Sequence, residues 1–488
     1  METKFSKKQA VWFTLINYVG VLIGMVSTLF IYPQDKDLLG IIRFVDGFAQ
    51  ILYPIMVLGA STALLNFQPK LNEYLQRKLF SYSLISILWM IVFSGVGVAV
   101  LYAFAPLENK EYYGFAFAIA ICLAYVDLFK RQATNLQKLA LPTFYEKIIP
   151  KLSLPFAFIL MVYFSQSIAT GLSVYLLSFV FMFVLLGAYL LQHFKPAYTL
   201  NYKDLFQEVS KKNYYQYSLY AFCASLGSFF AFRIDSVMIP EFLSNEANGD
   251  FNIGVNLANA LMIPATGVFA LYSPIISKAL KENDLSLLKI KYAEVAKNLF
   301  FIGIILYGCV LLGMHDFFQL LPTADKLLPT LPILYILGAN VVLNMATGFN
   351  TEIIAYSNYY RFNLLAIVSL AVMNVGLNYW ILTQTDYGII GVAWASLISM
   401  LIFNVSKLIF IYRKLNIVPI NSSYIKTIVL SGFVLAFCYY LPMNIFGSFA
   451  FVVKCFLFVS TFSGIVYFNK WVPEFNTSLQ SIFKKIKR

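Results

Sequence analysis

The sequence predicts an all-α integral membrane protein of about fourteen transmembrane helices, arranged as two pseudo-symmetric six-helix lobes plus a C-terminal helix pair. Three observations predict it. Of 488 residues, 60% are hydrophobic and only 12% are charged, against about 25% charged in a soluble domain. Apolar runs of about 20 residues, the length that crosses a hydrocarbon core of about 30 Å, recur from end to end. The pattern also repeats: Gly20 and Pro33 stand to each other as Gly227 and Pro240 do, and Val45 and Pro54 as Val255 and Pro264 do, at shifts of 207 and 210 residues.

Taken in order, Met1–Gln9 reads as a short basic tail. Ala10–Tyr32 reads as an uncleaved first span, too long for a signal-peptide core and without a small-residue cleavage site. Span two covers about Leu38–Leu65, and a basic amphipathic link over Asn66–Lys78 returns the chain to the membrane surface. Spans three to six follow near Leu79–Ala105, Tyr113–Asp127, Leu141–Phe164 and Ile168–Leu191. The polar stretch His193–Asn213, with Lys195, Lys203, Lys211 and Lys212, reads as the linker between halves. Spans seven and eight, within Tyr215–Lys278, flank the acidic stretch EFLSNEANGD, which reads as a loop. Ser277–Lys297 repeats the basic link of the first half. Spans nine to twelve lie near Leu299–Gly313, Leu328–Ile354, Phe362–Leu382 and Gly388–Tyr412. Two further spans, near Ile425–Leu441 and Ile445–Phe468, lie outside the repeat, before a basic tail Phe483–Arg488. The domain reading is thus a first lobe over 1–193, a cytoplasmic linker over 194–214, a second lobe over 215–414, and the last pair with its tail over 415–488.

The net charge of +13 could point to nucleic acid, but its distribution excludes that reading. Most Lys and Arg fall in the termini and in every second loop, while the alternate loops hold Asp35, Asp37, Glu108, Glu111, Glu241, Glu246, Asp250, Asp316, Asp325 and Asp386. Short basic loops stay cytoplasmic. Both termini are therefore expected inside, at the inner (plasma) membrane. The cysteines (Cys122, Cys223, Cys309, Cys438, Cys455) sit singly in apolar runs with no CxxC spacing, and His193 and His315 are far apart, so no disulfide framework or metal site is indicated.

The segments FRIDSVMIPEFLSNEANGDFNIGVNLANALMIP (232–264), LLGIIRFVDGFAQILYPIMVLGASTALLNF (38–67) and MNVGLNYWILTQTDYGIIGVAWASLIS (373–399) carry a resemblance. They resemble the polysaccharide transporter branch of the multidrug/oligosaccharidyl-lipid/polysaccharide (MOP) flippase superfamily. The resemblance covers all twelve repeat spans and implies an O-antigen flippase of the Wzx type, which moves polyprenyl-diphosphate-linked oligosaccharide for lipopolysaccharide or another surface polysaccharide. Its implied partners are the lipid-linked oligosaccharide, membrane lipids and polysaccharide polymerase or ligase machinery. Lipid II flippases of the same superfamily share fourteen spans but carry arginines in the first span, where Ala10–Tyr32 has neither Arg nor Lys. Multidrug cation antiporters have twelve spans and an acidic cation site. A membrane scaffold of a polysaccharide assembly complex, without transport of its own, is the reading from another class.

No nucleophile elbow, HExxH, phosphate-cradling glycine loop or Walker motif occurs, so the chain reads as no enzyme and with no cofactor. Transport would draw on an H+ or Na+ gradient, or on the substrate gradient. The candidates are then the charges within apolar runs, which are costly there and usually functional. Arg43 and Asp46, three apart, share one helix face: either a local ion pair, or an arginine for an anionic group beside an acid for gating or cation coupling. Arg233 and Asp235, two apart, point to different sides, and an Arg43–Asp235 pair closing the outer side is expected from their shared depth. Glu352 is either a snorkelling acid or a coupling residue, and Lys454 reads as lipid-facing. Asn256, Asn259, Asn344, Asn374 and Asn378 join helices or meet sugar hydroxyls. Pro54 and Pro264 mark matched helix bends.

Overall fold

A computed structural model describes residues 20–104, 108–138, 140–441 and 449–477. The described chain is helical, with no strand among those residues. Spatial proximity divides it into two compact units, Met1–Asn252 with Val375–Asp386, and Ile253–Asn374 with Tyr387–Arg488.

In the first unit, α1 (Gly20–Gln34) ends in a π turn over Ser27–Ile31 and a 3-10 turn over Tyr32–Gln34. Ser27 and Thr28 donate their hydroxyls to the carbonyls of Ile23 and Gly24, both at 2.7 Å, which is how a hydroxyl satisfies itself within an apolar helix. Helix α2 (Lys36–Val57) is capped by Asp35, whose carboxylate accepts from Leu38 N at 3.0 Å. It stops at Leu58 and Gly59, both left-handed, with Leu58 N bonded to the Pro54 carbonyl, and α3 (Ala60–Phe67) resumes. A Cβ on Gly59 would stand 2.0 Å from the Ser218 carbonyl oxygen, so this corner takes glycine for its φ and for the close approach.

Three long helices follow: α4 (Glu73–Phe104), α5 (Tyr113–Asn135) and α7 (Ile168–His193), with α6 (Ala140–Tyr163) between the last two. The basic link expected over Asn66–Lys78 is instead a corner, because helix already begins at Glu73. The reason is length: at about 1.5 Å per residue these 32 residues reach about 48 Å, so the charged first turns stand beyond a core of about 30 Å. Trp89, Phe93 and Phe104 of α4 are mostly exposed, as lipid-facing side chains are, since lipid is as apolar as they are. After α7 the chain crosses by α8 (Lys203–Glu208), pinned to α4 by Lys78 Nζ on Asp204 Oδ2 at 2.8 Å. That hydrogen bond and the ammonium charge hold the Asp204 carboxyl below its ordinary value.

Helices α9 (Lys211–Arg233) and α10 (Asp235–Phe242) are bent by 49° relative to each other, and α11 (Asn245–Ala260) follows after two residues. The acidic stretch expected as a loop is thus mostly helix. Ser244 Oγ accepts from Ala247 N at 3.1 Å, and Glu246 and Asp250 lie in the first turns, where a carboxylate favours the helix.

The second unit holds the end of α11 from Ile253 onward and the rest: α12 (Ile263–Lys281), α13 (Leu285–Gln319), α14 (Ala324–Leu327), α15 (Leu331–Ala346), α16 (Asn350–Tyr356), α17 (Tyr360–Gln384, whose end belongs to the first unit), α18 (Gly388–Leu415), α19 (Ser422–Tyr440) and α20 (Ala450–Phe468). The second basic link is likewise a corner between α12 and α13. The expected tenth span is broken between α15 and α16, with Gly348 at φ 60. Buried Lys297 reaches Ser423 Oγ at 3.1 Å, and the two residues stand 126 apart, the same separation as Lys78 and Asp204. Each half therefore ties the start of its third span to the segment after its sixth, a repeat feature that pattern alone did not disclose. Gly308 of α13 is covered by Phe458 of α20, and a cluster of Phe301, Leu312, Val434, Cys438, Phe458, Phe462, Val466 and Val472 holds α13, α19 and α20 together.

Among the described residues, eleven helices are long and apolar enough to cross a membrane, twelve if α9 and α10 form one bent span. The fourteen expected would add two. The first span lies partly outside the described residues, and α6 has the length but carries Glu146, Lys147 and Lys151.

Candidate functional site

Along α2, Arg43 Nη1 stands 4.0 Å from Asp46 Oδ2, and the same oxygen accepts from Gln50 Nε2 at 2.8 Å. Both side chains are mostly buried. A guanidinium has five donors, and Arg43 Nε is buried without a partner among the described residues. The local pair therefore leaves Arg43 under-satisfied. Tyr175 of α7 is buried within electrostatic reach of Arg43, Asp46 and Arg233.

Gly47 of α2 packs on Ser236 and Val237, just past the α9–α10 bend. That bend separates the charges flanking it. Arg233 is exposed, while Asp235 is buried and its Oδ1 accepts from Asn378 Nδ2 at 2.5 Å. The expected Arg43–Asp235 pair is not among the ion pairs of the described residues, because the carboxylate beside Arg43 is Asp46 on its own helix. Asn378 is fully buried and its Oδ1 has no partner among the described residues.

Nearby, a knot of amides closes the same end of the unit. Asn248 Nδ2 donates to the Gly40 carbonyl at 2.8 Å and to the Ser236 carbonyl at 3.2 Å, and Asn252 Nδ2 donates to Asn248 Oδ1 at 2.8 Å. Lys36 pairs with Asp250 at 2.6 Å. Backbone meets backbone here: a Cβ on Gly40 would lie 1.8 Å from the Asn245 carbonyl oxygen, and one on Gly249 would lie 2.1 Å from that of Lys36. Sequence reasoning missed Asn248 because its stretch read as loop.

In the second unit, Asn256 and Asn344 are half-buried, Asn259 is exposed and Asn374 is buried. Pro264 stands in the first turn of α12, directly after the break that follows α11, and Pro54 stands one turn before the break after α2. Half-buried Glu352 lies in the first turn of α16, in electrostatic reach of Lys407, a residue of the expected twelfth span that the sequence reading did not single out. Lys407 is fully buried on α18; its Nζ donates to Thr351 Oγ1 at 2.9 Å and sits 3.8 Å from the Phe403 ring centroid. Below it, Asn404 Oδ1 accepts from Thr347 Oγ1 at 3.1 Å and from Asn350 Nδ2 at 2.9 Å. A lysine in the run LISMLIFNVSKLIFIY was the visible signal. Lys454 is half-buried on α20.

The charges of α6 were missed in the same way. Lys130 of α5 pairs with Glu146 at 2.5 Å, while Lys147 and Lys151 are half-buried on the same helix. Among the described residues no group of three or more His, Cys, Asp or Glu is placed to hold a metal ion.

Fold and site together define an all-helical multi-pass membrane protein with charged and amide groups held inside its helices. No protein-family profile and no curated protein matches the chain. Solved structures do. The lipid II flippase MurJ in an inward closed conformation superposes with a TM-score of 0.72 at 15% identity, over 94% of this chain and 99% of that one. An inward-facing multidrug resistance MATE family transporter of the MOP superfamily gives 0.63 at 14% identity, over 83% and 94%. A MOP superfamily transporter from Pyrococcus furiosus gives 0.52 at 14% identity, over 83% and 95%. At these identities the likeness is one of fold: the chain has the fold these transporters share.

Proposed function

We propose that the chain is a flippase that moves a polyprenyl-diphosphate-linked oligosaccharide, an O-antigen unit or another surface polysaccharide precursor, from the inner to the outer leaflet of the inner membrane. The observation that carries this reading is positive charge inside transmembrane helices: Arg43, under-satisfied with its Nε buried, and Arg233, exposed at a helix bend and in no ion pair among the described residues. A scaffold gains nothing from such groups, whereas a carrier of an anionic head group needs them. On this reading the two lobes rock about the repeat axis. Arg43 and Arg233 meet phosphate or acidic sugar, and Asn256, Asn259, Asn374 and Asn378 offer amides to hydroxyls. Asp46, Asp235 and Glu352 serve gating or coupling to an H+ or Na+ gradient, and both termini are cytoplasmic. Polymerase or ligase machinery would take the product.

Lipid II is the second reading, favoured by the match along 94% of this chain to the lipid II flippase structure. A strain deleted for this gene separates the readings. Accumulated lipid-linked oligosaccharide with lost surface polymer, rescued by the wild type but not by Arg233→Ala, is expected. Arrested cell-wall synthesis with polymer intact would assign lipid II instead, and sensitivity to cationic drugs alone would assign an antiporter.

A further inference from the structure

The cysteines stand singly along the sequence but not in the fold. In the second unit, Cys455 of α20 meets Cys309 of α13: its thiol donates to the Cys309 carbonyl at 3.5 Å, and the two thiols are in hydrogen-bonding contact. Cys438 of α19, fully buried, lies within electrostatic reach of Cys455. No group of three or more His, Cys, Asp or Glu among the described residues is placed to hold a metal ion, which leaves the chemistry of the thiols themselves.

The helices are built for this approach. Phe451, Cys455, Phe458 and Phe462 fall at i, i+4, i+7 and i+11 of α20, one helix face, and that face lies on α13. A Cβ at Gly313 would stand 3.0 Å from Cys455 Sγ, and one at Gly308 would stand 2.2 Å from the Phe458 ring, so the two glycines let the helices close up. Phe301 and Phe462 meet at 5.5 Å further along. Cys309 and Gly313, four apart, share a face of α13. Packing on both sides therefore holds the two thiols toward each other.

The pair lies toward the end of the bundle where α19 gives way to α20. Cys438 is two residues before Tyr440, Cys455 is five after Ala450, and Asp316 in the last turn of α13 is within electrostatic reach of Cys455. With both termini cytoplasmic, as proposed above, this end faces outward, where disulfides form and persist.

We infer that Cys309 and Cys455 are a redox-sensitive pair, closed to a disulfide by exchange with a disulfide-bearing oxidant, and that the bond fastens the terminal helices to α13. One cysteine, as its thiolate, attacks the S–S bond of the oxidant, forming a mixed disulfide and expelling one thiol. The other attacks the protein sulfur of that mixed disulfide, forming the Cys309–Cys455 bond and expelling the second thiol. Two electrons pass from the cysteines to the oxidant, and the two cysteine protons end on the thiols released. The new bond joins residues 146 apart and so restricts the unfolded chain. The inference rests on the packing of α13 and α20, not on the flippase reading.

The test treats the full chain, reduced and held in phosphatidylcholine nanodiscs, with dithiodipyridine, a disulfide apolar enough to enter a bilayer. Peptide mapping by mass spectrometry without reductant is expected to find Cys309 joined to Cys455, with a melting temperature raised by several degrees and both changes reversed by reductant. C309S and C455S are each expected to keep a pyridyl mixed disulfide on the remaining partner and to show no rise. C122S/C223S/C438S, which keeps only the pair, is expected to release two pyridinethiones per chain and retain no pyridyl group. Pyridyl groups retained on both Cys309 and Cys455 of the wild type overturn the inference, as do thiols left free at both positions. A bridge from Cys438 to either partner overturns it too, and so does a Cys309–Cys455 bridge that leaves the melting temperature unchanged. Should a serine variant fail to fold, the map and melting temperature of the wild type decide alone.

Discussion

Lys407 shows what a single residue costs and supplies. Its ammonium has one hydroxyl acceptor and one aromatic face, with no carboxylate among its ion pairs in the described residues. A cation taken out of water is repaid only by close, well-made partners, and replacing such a group by a packed apolar side chain is often neutral or stabilising. Lys407→Met is therefore expected to keep or raise the thermal midpoint of the detergent-solubilised protein, while Lys407→Ala, which leaves a cavity, loses about 2–5 kcal/mol. A Met variant as unstable as the Ala variant would mean the ammonium itself holds α16 to α18. Asn378→Leu tests the other unit: it strips buried Asp235 of one donor, and a loss of about 1–3 kcal/mol is expected. The two sites differed in legibility. Arg43 and Asp46 were readable because helical spacing alone brings residues three apart together. Asn378 and Asp235 stand 143 residues apart, and nothing local announces their contact. Lys407 was in plain view inside the expected twelfth span, but nothing local announces Thr351 and Phe403 as its partners together.

At the scale of elements, the apolar runs placed nearly every helix, because crossing a bilayer fixes a minimum length. They did not place the corners, since α4 and α13 overrun the membrane and turn charged segments into helix. The close backbone contacts at Gly40 and Gly249 were also hidden, as a glycine's reason lies in whatever packs on it. They give a prediction about motion. If α2 parts from α10 and α11 during the cycle, Gly249→Val should favour the parted state, and a cysteine at buried Ser236 should become several-fold more reactive to an impermeant maleimide. Unchanged labelling in a folded variant would show that this end does not open there. The Lys78–Asp204 tie gives a pH prediction. Asp204 titrates below its unfolded value of about 4, so its contribution is present above that value and lost as pH falls through the lower folded one. The acid limb of a stability profile should therefore flatten in Asp204→Asn. An identical limb in that variant would mean that the tie does not contribute.

The whole molecule poses the question of its last two helices. Helices α19 and α20 lie outside the sequence repeat, so a body of the repeated spans alone would be complete by count. The packing argues that this one is not. The face of α13 that α19 and α20 cover is unsuited to lipid. Lys297 is buried there with Ser423 as its acceptor, Asn298 bonds Glu474, Phe300 meets Tyr424, and the Tyr424 hydroxyl reaches the Ala346 carbonyl at 2.7 Å. Hydrocarbon can fill the place of Phe458 over Gly308, but it offers Lys297 and Asn298 no hydrogen bond, and a stranded polar group in lipid costs several kcal/mol. Removal of residues 422–488 is therefore expected to lower the melting temperature by several degrees and to broaden the size-exclusion peak. The same truncation carrying Lys297→Leu and Asn298→Leu should recover much of the loss, because the bare face would then suit lipid. A truncated chain as stable as the full one would make the pair an appendage. A loss that the two leucines leave untouched would place its contribution in apolar packing alone.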